Sequence, residues 1–247
     1  NHYSIATGMY AENHGLIANT FYAIDLRKPY SIKDRNAVEN GEFYGGEPIW
    51  VTAERQGLIT ASYFWVGSEA VIKGRQPTYW KKYDQKISFE ARIDSVMSWF
   101  SYPTQRRPRL TLLYFHEPDW TGHTYGPNSP ETISQIERMD SILGNLISKT
   151  INLSISSKLN IIIVSDHGMT DIYSEKSIDL STYTDLSNLK ITGAGPTVFI
   201  SSESKKLLKK VYKDLKKINN ADIYWKRNIP KRFHYQNHVR IPDLLIV

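Results

Sequence analysis

Two short apolar runs constrain this chain most, because both end in the same pair of residue types. Residues 110–115 (LTLLYF) lead into Asp119 and His123, and residues 160–164 (NIIIV) lead into Asp166 and His167. Short apolar runs bounded by Gly and Pro are typical of buried strands. Ligands of open α/β sheets collect beyond the carboxyl ends of the strands. We therefore expect the two carboxylate–imidazole pairs to face each other across a cleft.

Either pair alone is weak evidence for a metal site. An isolated Asp-x-x-x-His is usually a pair of solvated loop residues, and an Asp at a strand end often caps a helix with a His beside it by chance. The two pairs together favour metal binding. Carboxylate and imidazole ligands without a thiolate suit zinc, or a mixed Zn/Mn/Mg site. Two such half-sites a few ångströms apart would clamp the attacking and leaving oxygens of a phosphoryl transfer.

The absence of cysteine excludes whole classes of site. With no Cys among 247 residues, the chain forms no disulfide, no thiolate metal site and no Cys nucleophile. Its length suits one α/β domain. The sequence contains no run of eighteen apolar residues, which predicts no membrane-spanning helix, and no signal peptide is visible. Because the chain begins with Asn1 rather than Met, we expect an internal piece of a longer protein.

The positive charge is concentrated in one segment. Residues 203–218 contain seven lysines and two carboxylates, and so contribute +5 of the formal net charge of +6. Apolar residues recur in the same segment at helical spacing, which predicts a surface helix with a solvated lysine face. We therefore expect no nucleic-acid binding through this basic patch.

The rest of the chain alternates predicted strands with predicted helices, a pattern that favours a mostly parallel sheet covered by helices. Helices are predicted over residues 47–56, 89–100 and 130–150, and strands over residues 58–65, 196–200 and 221–224 in addition to the two apolar runs. Residues 24–46 and 66–87 are predicted loops, and residues 170–195 are predicted to be irregular. His14 is expected to be structural rather than a ligand.

A series of motifs, in order and over nearly the whole chain, carries a family resemblance. The motifs are Asn1-His2-Tyr3-Ser4 with Thr7-Gly8, Glu12-Asn13-His14-Gly15, Gly46-Glu47-Pro48-Ile49-Trp50, Phe64-Trp65 with Gly67-Ser68, Glu117-Pro118-Asp119 with Gly122-His123 and Tyr125-Gly126-Pro127, Ser165-Asp166-His167-Gly168-Met169, and His234-Tyr235. They resemble the nucleotide pyrophosphatase/phosphodiesterases of the alkaline phosphatase superfamily. The resemblance implies an α/β, alkaline-phosphatase-like fold with a mostly parallel central sheet and helices on both faces, incomplete at both termini. It also implies one phosphodiesterase catalytic domain over residues 1–247.

The implied activity is hydrolysis of phosphodiester or pyrophosphate bonds by two zinc ions. The substrates would typically be nucleotides, and a covalent threonine intermediate would release a nucleoside 5'-monophosphate. By position in the motifs, Asp166 and His167 would bind the zinc next to the nucleophile, and Asp119 and His123 the zinc that activates water. Such an enzyme is expected to be extracytoplasmic, by resemblance alone.

The resemblance also assigns candidate residues for the substrate. Asn19 matches an amide that hydrogen-bonds a non-bridging phosphate oxygen, a role suited to charge that grows in the transition state, although it also reads as a plain turn residue. Trp65, Tyr83 and Tyr114 match positions that shape a nucleoside pocket, where aromatic rings stack on a base. Tyr114 reads equally well as a core residue.

The chain also departs from the family pattern. The nucleophilic threonine and a further aspartate ligand precede the position of Asn1, and the last zinc histidine lies beyond the His-Tyr motif. Neither His234 nor His238 replaces that histidine. We therefore expect the 247-residue chain to hold four zinc ligands, to bind zinc poorly and not to turn over.

Two other readings stay open. Related esterases of the superfamily, including phosphomonoesterases, sulfatases and choline-phosphate or lysophospholipid phosphodiesterases, reuse the same metal cage, and aromatic residues also accept a quaternary ammonium. A catalytically inactive binding module with the same fold is the second alternative, and it would lack the threonine.

Overall fold

The structure is a computed structural model that describes residues 1–193 and 195–247. Its helices are α1 (His2–Thr7), α2 (Ala11–His14), α3 (Arg35–Glu39), α4 (Ile49–Arg55), α5 (Phe89–Phe100), α6 (Asp119–Tyr125), α7 (Pro130–Ile151) and α8 (Lys205–Leu215). Its strands are β1 (Thr20–Ala23), β2 (Lys28–Ser31), β3 (Thr60–Tyr63), β4 (Tyr79–Lys81), β5 (Leu110–Leu113), β6 (Lys190–Thr192), β7 (Val198–Ser201), β8 (Ile223–Trp225) and β9 (Leu244–Ile246).

The described residues group into two compact units, each discontinuous in sequence. The first unit comprises Asn1–Ala6 and Glu47–Ile172, and the second comprises Thr7–Gly46 and Tyr173–Val247. All four predicted metal ligands belong to the first unit. The single catalytic domain expected from the sequence stays a prediction.

A wholly parallel sheet forms the centre of the first unit. Its strand order is β4-β3-β5, with Tyr63 of β3 opposite Lys81 of β4 and Leu113 of β5. The α/β class with a parallel sheet is thus confirmed. Strand β4 lies inside the segment predicted as a loop, residues 66–87. With only three residues, two of them exposed, this strand shows no apolar periodicity that a sequence pattern would reveal.

Two amphipathic helices of this unit have nearly the predicted bounds. The Ser88 side chain accepts a hydrogen bond from the Ala91 N–H and so caps α5. Ser129 caps α7 in the same way, with Pro130 in the first turn. Phe89 and Ile93 of α5 pack against Ile142 of α7, and a second cluster joins α5 to Tyr63 and Phe64 at the end of β3.

The prediction of a buried strand over residues 160–164 is wrong. These residues belong to no strand, and Ile162 and Ile163 are 85% and 67% exposed. A strand requires ladder hydrogen bonds to a neighbouring strand, and none of the described strands pairs with this run. Asp166 and His167 therefore follow an irregular segment rather than a strand end.

The second unit is built from antiparallel strands. Strands β6-β7-β9-β8 form a four-stranded sheet. Helix α8 covers this sheet with Leu208, Val211 and Leu215, which are buried against Ile200 and Leu244. The lysines of α8 face solvent, as the helical spacing predicted.

Part of the second unit contradicts the prediction of a loop over residues 24–46. Strands β1 and β2 form a hairpin, and Phe21, Tyr30 and Phe43 are buried with their rings in contact. The strands are four residues long, and β2 exposes Lys28 and Pro29, which hides the apolar alternation. Arg240 closes this core, since its guanidinium pairs with both carboxylate oxygens of Asp25 at 2.9 Å.

Among the described residues, no helix combines the length and apolar character that a membrane crossing requires.

His14 is a buried titratable group of the second unit. Its ring is 2% exposed, its Nδ1 accepts a hydrogen bond from the Leu16 N–H at 3.1 Å, and its carbonyl accepts one from the Gly45 N–H at 2.8 Å. Removal from water lowers the pKa of His14 to about 4, and the nearby His238 adds to this shift. The fold therefore favours the neutral imidazole.

We predict that His14 makes the free energy of unfolding fall as the pH falls from about 6.5 to about 4. In this window the unfolded chain binds a proton that the folded chain does not, and the loss approaches about 1.4 kcal/mol per pH unit. His14→Asn keeps an acceptor for the Leu16 N–H and removes the titrating group. Urea unfolding at about pH 7.5 and about pH 5 should show a smaller pH effect in the variant. An equal pH effect in both proteins would contradict the assignment.

Candidate metal centre

The first predicted ligand pair lies on one face of α6. Asp119 is the first residue of this helix and His123 is four residues later, so their side chains project on the same side. The His123 Nε2 atom is 3.5 Å from Asp119 Oδ1. The start of the helix is fixed by the Thr121 N–H, which donates to Glu117 Oε2. The sequence predicts no helix in this segment, because Pro118 and Gly122 are typical of a turn.

The second pair is held by hydrogen bonds around an irregular backbone. The Asn1 side-chain amide donates to the Asp166 carbonyl at 2.8 Å, and the Ser165 hydroxyl donates to the His167 carbonyl at 2.7 Å. The His167 Nε2 atom is 3.3 Å from Asp166 Oδ2 and 3.8 Å from Asp119 Oδ1. The two pairs predicted from the sequence therefore meet at one imidazole.

The ring of His167 is oriented as a ligand. Its Nδ1 lies 2.9 Å from the Gly168 carbonyl oxygen. A carbonyl oxygen only accepts hydrogen bonds, so Nδ1 carries the hydrogen. In the neutral ring the lone pair is then on Nε2, and it faces the carboxylates of Asp119 and Asp166. An imidazole fixed through one nitrogen with the other directed at carboxylates is the arrangement of metal-bound histidines.

An orphaned oxygen marks where a cation fits. Asp119 Oδ1 is inaccessible to water and has no hydrogen-bond donor, although His123 and His167 approach it to 3.5 and 3.8 Å. Neighbouring ligands of a tetrahedral zinc ion, at about 2.0–2.1 Å from the metal, are roughly 3.3–3.4 Å apart. The donor types fit zinc, and so do the distances within each pair, 3.5 Å for Asp119–His123 and 3.3 Å for Asp166–His167.

The described residues offer two pairs of candidate ligands rather than a complete coordination shell for one ion. In the part of the chain that the structure describes, no three His, Asp or Glu side chains are grouped tightly enough to enclose one ion. Two ligands for each of two zinc ions stays a prediction from the sequence.

Two of the three predicted pocket residues contact His2, which lies beside Asp166 and to which the sequence assigned no role. The His2 ring contacts Trp65 at 5.6 Å and Tyr114 at 5.0 Å, both edge to face, and its Nδ1 is 3.4 Å from Asp166 Oδ2. Tyr83 continues the series at 6.5 Å from Tyr114. The motif Asn1-His2-Tyr3-Ser4 was the signal that marked His2.

Burial raises the pKa of Tyr114 to about 12, and Tyr83 and the carboxylates of Asp119 and Asp166 add to the shift. Burial lowers the pKa of His2, while Asp166 partly opposes that effect. Tyr114 packs on the core cluster around Tyr63 and also faces His2, so both sequence interpretations of this residue describe part of its surroundings.

Asn19 lies in the second compact unit, just before β1. Its side chain is exposed, and its carbonyl accepts a hydrogen bond from the Ile32 N–H at 2.9 Å. Its role at a phosphate oxygen stays a prediction from the sequence.

Sequence reasoning also missed a buried arginine that fixes the segment leading to Asp119. Arg92 of α5 has no exposed surface and, among the described residues, forms no ion pair. Its guanidinium donates to the carbonyls of Tyr114, Ile87 and Gln85, and it contacts His116 Nδ1 at 3.3 Å. The signal was an arginine within the apolar stripe of α5, between Phe89 and Ile93.

Aromatic faces complete the environment of this arginine. The Arg92 guanidinium carbon lies 4.9 Å from the ring centres of both Phe64 and Phe89. Cation–π contacts of this kind stabilise a buried cation. Arg92 thus connects α5 and the end of β3 to the residues that carry the first ligand pair.

The sequence of this chain is similar to those of known phosphodiesterases. The family model described as type I phosphodiesterase / nucleotide pyrophosphatase matches residues 1–247. A venom phosphodiesterase of Crotalus durissus collilineatus is 38% identical over 98% of this chain and 30% of its own length. Human ectonucleotide pyrophosphatase/phosphodiesterase family member 1 is 37% identical over 99% of this chain and 27% of its own length.

A solved structure matches the fold of the whole chain. Murine ectonucleotide pyrophosphatase/phosphodiesterase 5 superposes with a TM-score of 0.94 at 33% identity, over 100% of this chain and 66% of that protein. An inactive variant of the murine protein, with alanine replacing a threonine, is known in complex with AMP. The expected alkaline-phosphatase-like α/β fold is confirmed by this likeness. The chain spans about 30% of the length of the venom relative.

We predict that Arg92→Met destabilises the first unit. Loss of the guanidinium leaves the buried carbonyls of Tyr114 and Ile87 without a donor, which should lower the free energy of unfolding by about 3 kcal/mol. Arg138→Met is the matched control, because Arg138 is exposed and lies over the same Phe89 ring at 5.7 Å. Urea unfolding should detect a change of no more than about 0.5 kcal/mol in that control. Equal stability of the Arg92 variant and the parent would refute the role.

Proposed function

The chain belongs to the type I phosphodiesterase / nucleotide pyrophosphatase family, and from this we propose that it contributes the metal-binding residues of a hydrolase of phosphodiester and pyrophosphate bonds. The observation that supports this most strongly is Asp119 Oδ1. This buried carboxylate oxygen has no donor and is approached by two imidazole nitrogens at 3.5 and 3.8 Å. Two divalent cations, one at each carboxylate–imidazole pair, would satisfy these atoms.

The four ligands would hold two zinc ions. Asp166 and His167 would hold one, and Asp119 and His123 the other. Zinc bound there would polarise the phosphoryl oxygens and lower the pKa of a bound water to about 7. The side chains around the ligands fix their orientation: the Asn1 amide holds the backbone at Asp166, and the Gly168 carbonyl holds the ring of His167.

We propose a nucleotide as the substrate. The rings of Trp65, Tyr114 and Tyr83 provide apolar faces close to Asp166, and such faces stack on a base. Because the pKa of Tyr114 is about 12, its phenol stays protonated at neutral pH and adds no negative charge beside a phosphate. The AMP complex of the murine relative supports this choice over the related esterases of the superfamily. Asn19 is proposed to donate to a phosphate oxygen.

A threonine nucleophile is proposed on two grounds. The resemblance places a threonine before the motif that starts at Asn1, and the inactive murine variant has alanine in place of a threonine.

We also propose an extracytoplasmic location, which the names of the relatives, venom phosphodiesterases and ectonucleotide pyrophosphatases, support.

We predict that the zinc binding of the 247-residue chain, which we expect to be weak, depends on Asp119. Asp119→Asn keeps the size of the side chain and removes its charge, and it should weaken zinc binding at least about 10-fold, because even residues that only orient ligands contribute that much. Isothermal titration calorimetry at neutral pH measures the affinity. Asp140→Asn is the control, since this aspartate is exposed on α7. Unchanged affinity in the Asp119 variant, or an equal loss in the control, would exclude Asp119 as a ligand.

We predict that a chimera hydrolyses diesters. In it, the segments of murine ectonucleotide pyrophosphatase/phosphodiesterase 5 outside the matched region flank this chain and supply the expected threonine and the remaining ligands. It should release p-nitrophenol from p-nitrophenyl thymidine 5'-monophosphate faster than from p-nitrophenyl phosphate, and EDTA should stop the reaction. Tyr83→Ala should raise KM for the nucleotide ester about 5- to 100-fold through loss of stacking worth about 1–3 kcal/mol.

The chimera separates the alternatives. Tyr173→Ala is the matched control, because this exposed tyrosine is not among the residues predicted for the pocket and its removal should leave KM unchanged. A preference for the monoester would assign the site to a phosphomonoesterase, and a folded, zinc-loaded chimera without turnover would support the inactive binding module.

A further inference from the structure

A second concave surface lies in the second compact unit, where the sequence predicted no site. It is a cleft of about 580 Å³ between the first turns of α8 and the segment that follows β8. This volume falls within the range of small-molecule sites, about 300–1,000 Å³. None of the residues predicted as metal ligands or substrate contacts lines it.

The cleft gathers positive charge. Lys205 and Lys209 reach it from successive turns of α8, and Lys226 and Arg227 reach it from the end of β8. Asp243 is the only carboxylate among the lining residues, so the net charge of the lining is +3. Among the described residues, Lys205, Lys209 and Arg227 form no ion pair. Four cations with a single carboxylate in a concavity create a net positive field that attracts anions.

The walls of the cleft are held in place. The Gln236 side-chain amide donates to the carbonyls of Arg227 and Ile229, and the backbone N–H groups of Gln236 and Asn237 donate to Glu12. The Lys226 ammonium donates to the His238 carbonyl. Three donors engage the Glu12 carboxylate, which does not line the cleft. The segment after β8 and the Lys226 ammonium are therefore ordered before a ligand arrives, which lowers the entropy that binding would lose.

The lining also includes apolar surface. Leu208 and Trp225 lie between the cationic side chains, and the Trp225 ring contacts Tyr212 at 5.1 Å. Oxyanions bind lysine and arginine side chains by charge-assisted hydrogen bonds, and an indole offers a face to an organic ring. A small ligand with several negative charges and an organic part matches both features.

We propose that this cleft binds a small polyphosphate, such as the pyrophosphate group of a nucleoside polyphosphate. The cleft favours a small ligand over a polymer, because Lys213 of α8 and Lys216 directly after the helix do not line it. A polymer would use the whole lysine face of the helix. The assignment is independent of the metal pairs, which belong to the first unit.

The test uses the 247-residue chain in excess EDTA, so that no divalent metal links a phosphate to the candidate metal centre. Isothermal titration calorimetry measures binding of ATP, inorganic tripolyphosphate and orthophosphate. The double variant Lys209→Gln/Arg227→Gln should weaken ATP binding at least about 10-fold, since hydrogen bonds to charged groups contribute about 1.5–3 kcal/mol each. The double variant Lys213→Gln/Lys216→Gln removes the same charge outside the cleft and should change affinity less than about 3-fold. Circular dichroism checks that both variants fold.

Each outcome decides the proposal. Comparable affinity for ATP and tripolyphosphate assigns recognition to the linked phosphates, and tighter ATP binding that Trp225→Leu abolishes adds a contact to the base. Equal losses in the two double variants would show attraction to diffuse charge and overturn the site. Failure of ATP and tripolyphosphate to bind, or equal affinity for orthophosphate, would overturn the polyphosphate assignment. Zinc binding by Asp119 is unaffected by either result.

Discussion

The arrangement around Asp119 Oδ1 is the constraint on which the site depends. A buried carboxylate oxygen without a donor is costly, and here it is flanked by His123 and His167 at distances close to the ligand–ligand separations of a zinc site. The Gly168 carbonyl fixes the hydrogen of His167 on Nδ1 and leaves Nε2 toward two carboxylates. Without a cation, acceptors face acceptors. The local hydrogen bonds thus maintain an arrangement that a metal would stabilise.

The segment that carries Asp119 is held by a buried charge, the guanidinium of Arg92. Arg92 has no carboxylate partner among the described residues, and three carbonyls, the His116 ring and two phenylalanine faces replace water around it. Burying a guanidinium is unfavourable unless its donors are satisfied. Satisfied as it is here, it connects a helix to the end of β5 and to the residues before α6. The position of Asp119 therefore follows from core packing as well as from its own helix.

Long, strongly periodic elements were predictable from the sequence, whereas short ones and their pairings were not. Helices α5, α7 and α8 and strand β5 lie where apolar spacing and capping residues placed them. Hairpin β1–β2, strand β4 and helix α6 were missed, because three to seven residues carry too little periodicity to identify an element. The run at residues 160–164 has the composition of a strand, but none of the described strands lies beside it. The prediction failed because composition does not specify which strand a segment pairs with. Of the candidate site, the sequence identified the ligand pairs but not His2 or Arg92, whose roles depend on contacts across the unit.

His2 contacts both the candidate metal ligands and the candidate substrate pocket. Its ring contacts the carboxylate of Asp166 with Nδ1 and the rings of Trp65 and Tyr114 with its edges, and the Trp65 indole N–H donates to the His2 carbonyl at 3.0 Å. One residue of α1 thus fixes the distance between a carboxylate that would bind a metal and the aromatic faces that would hold an organic group. The spacing between the phosphorus and the base of a bound nucleotide would then be set by packing within the first unit, whatever the movements of the surrounding loops.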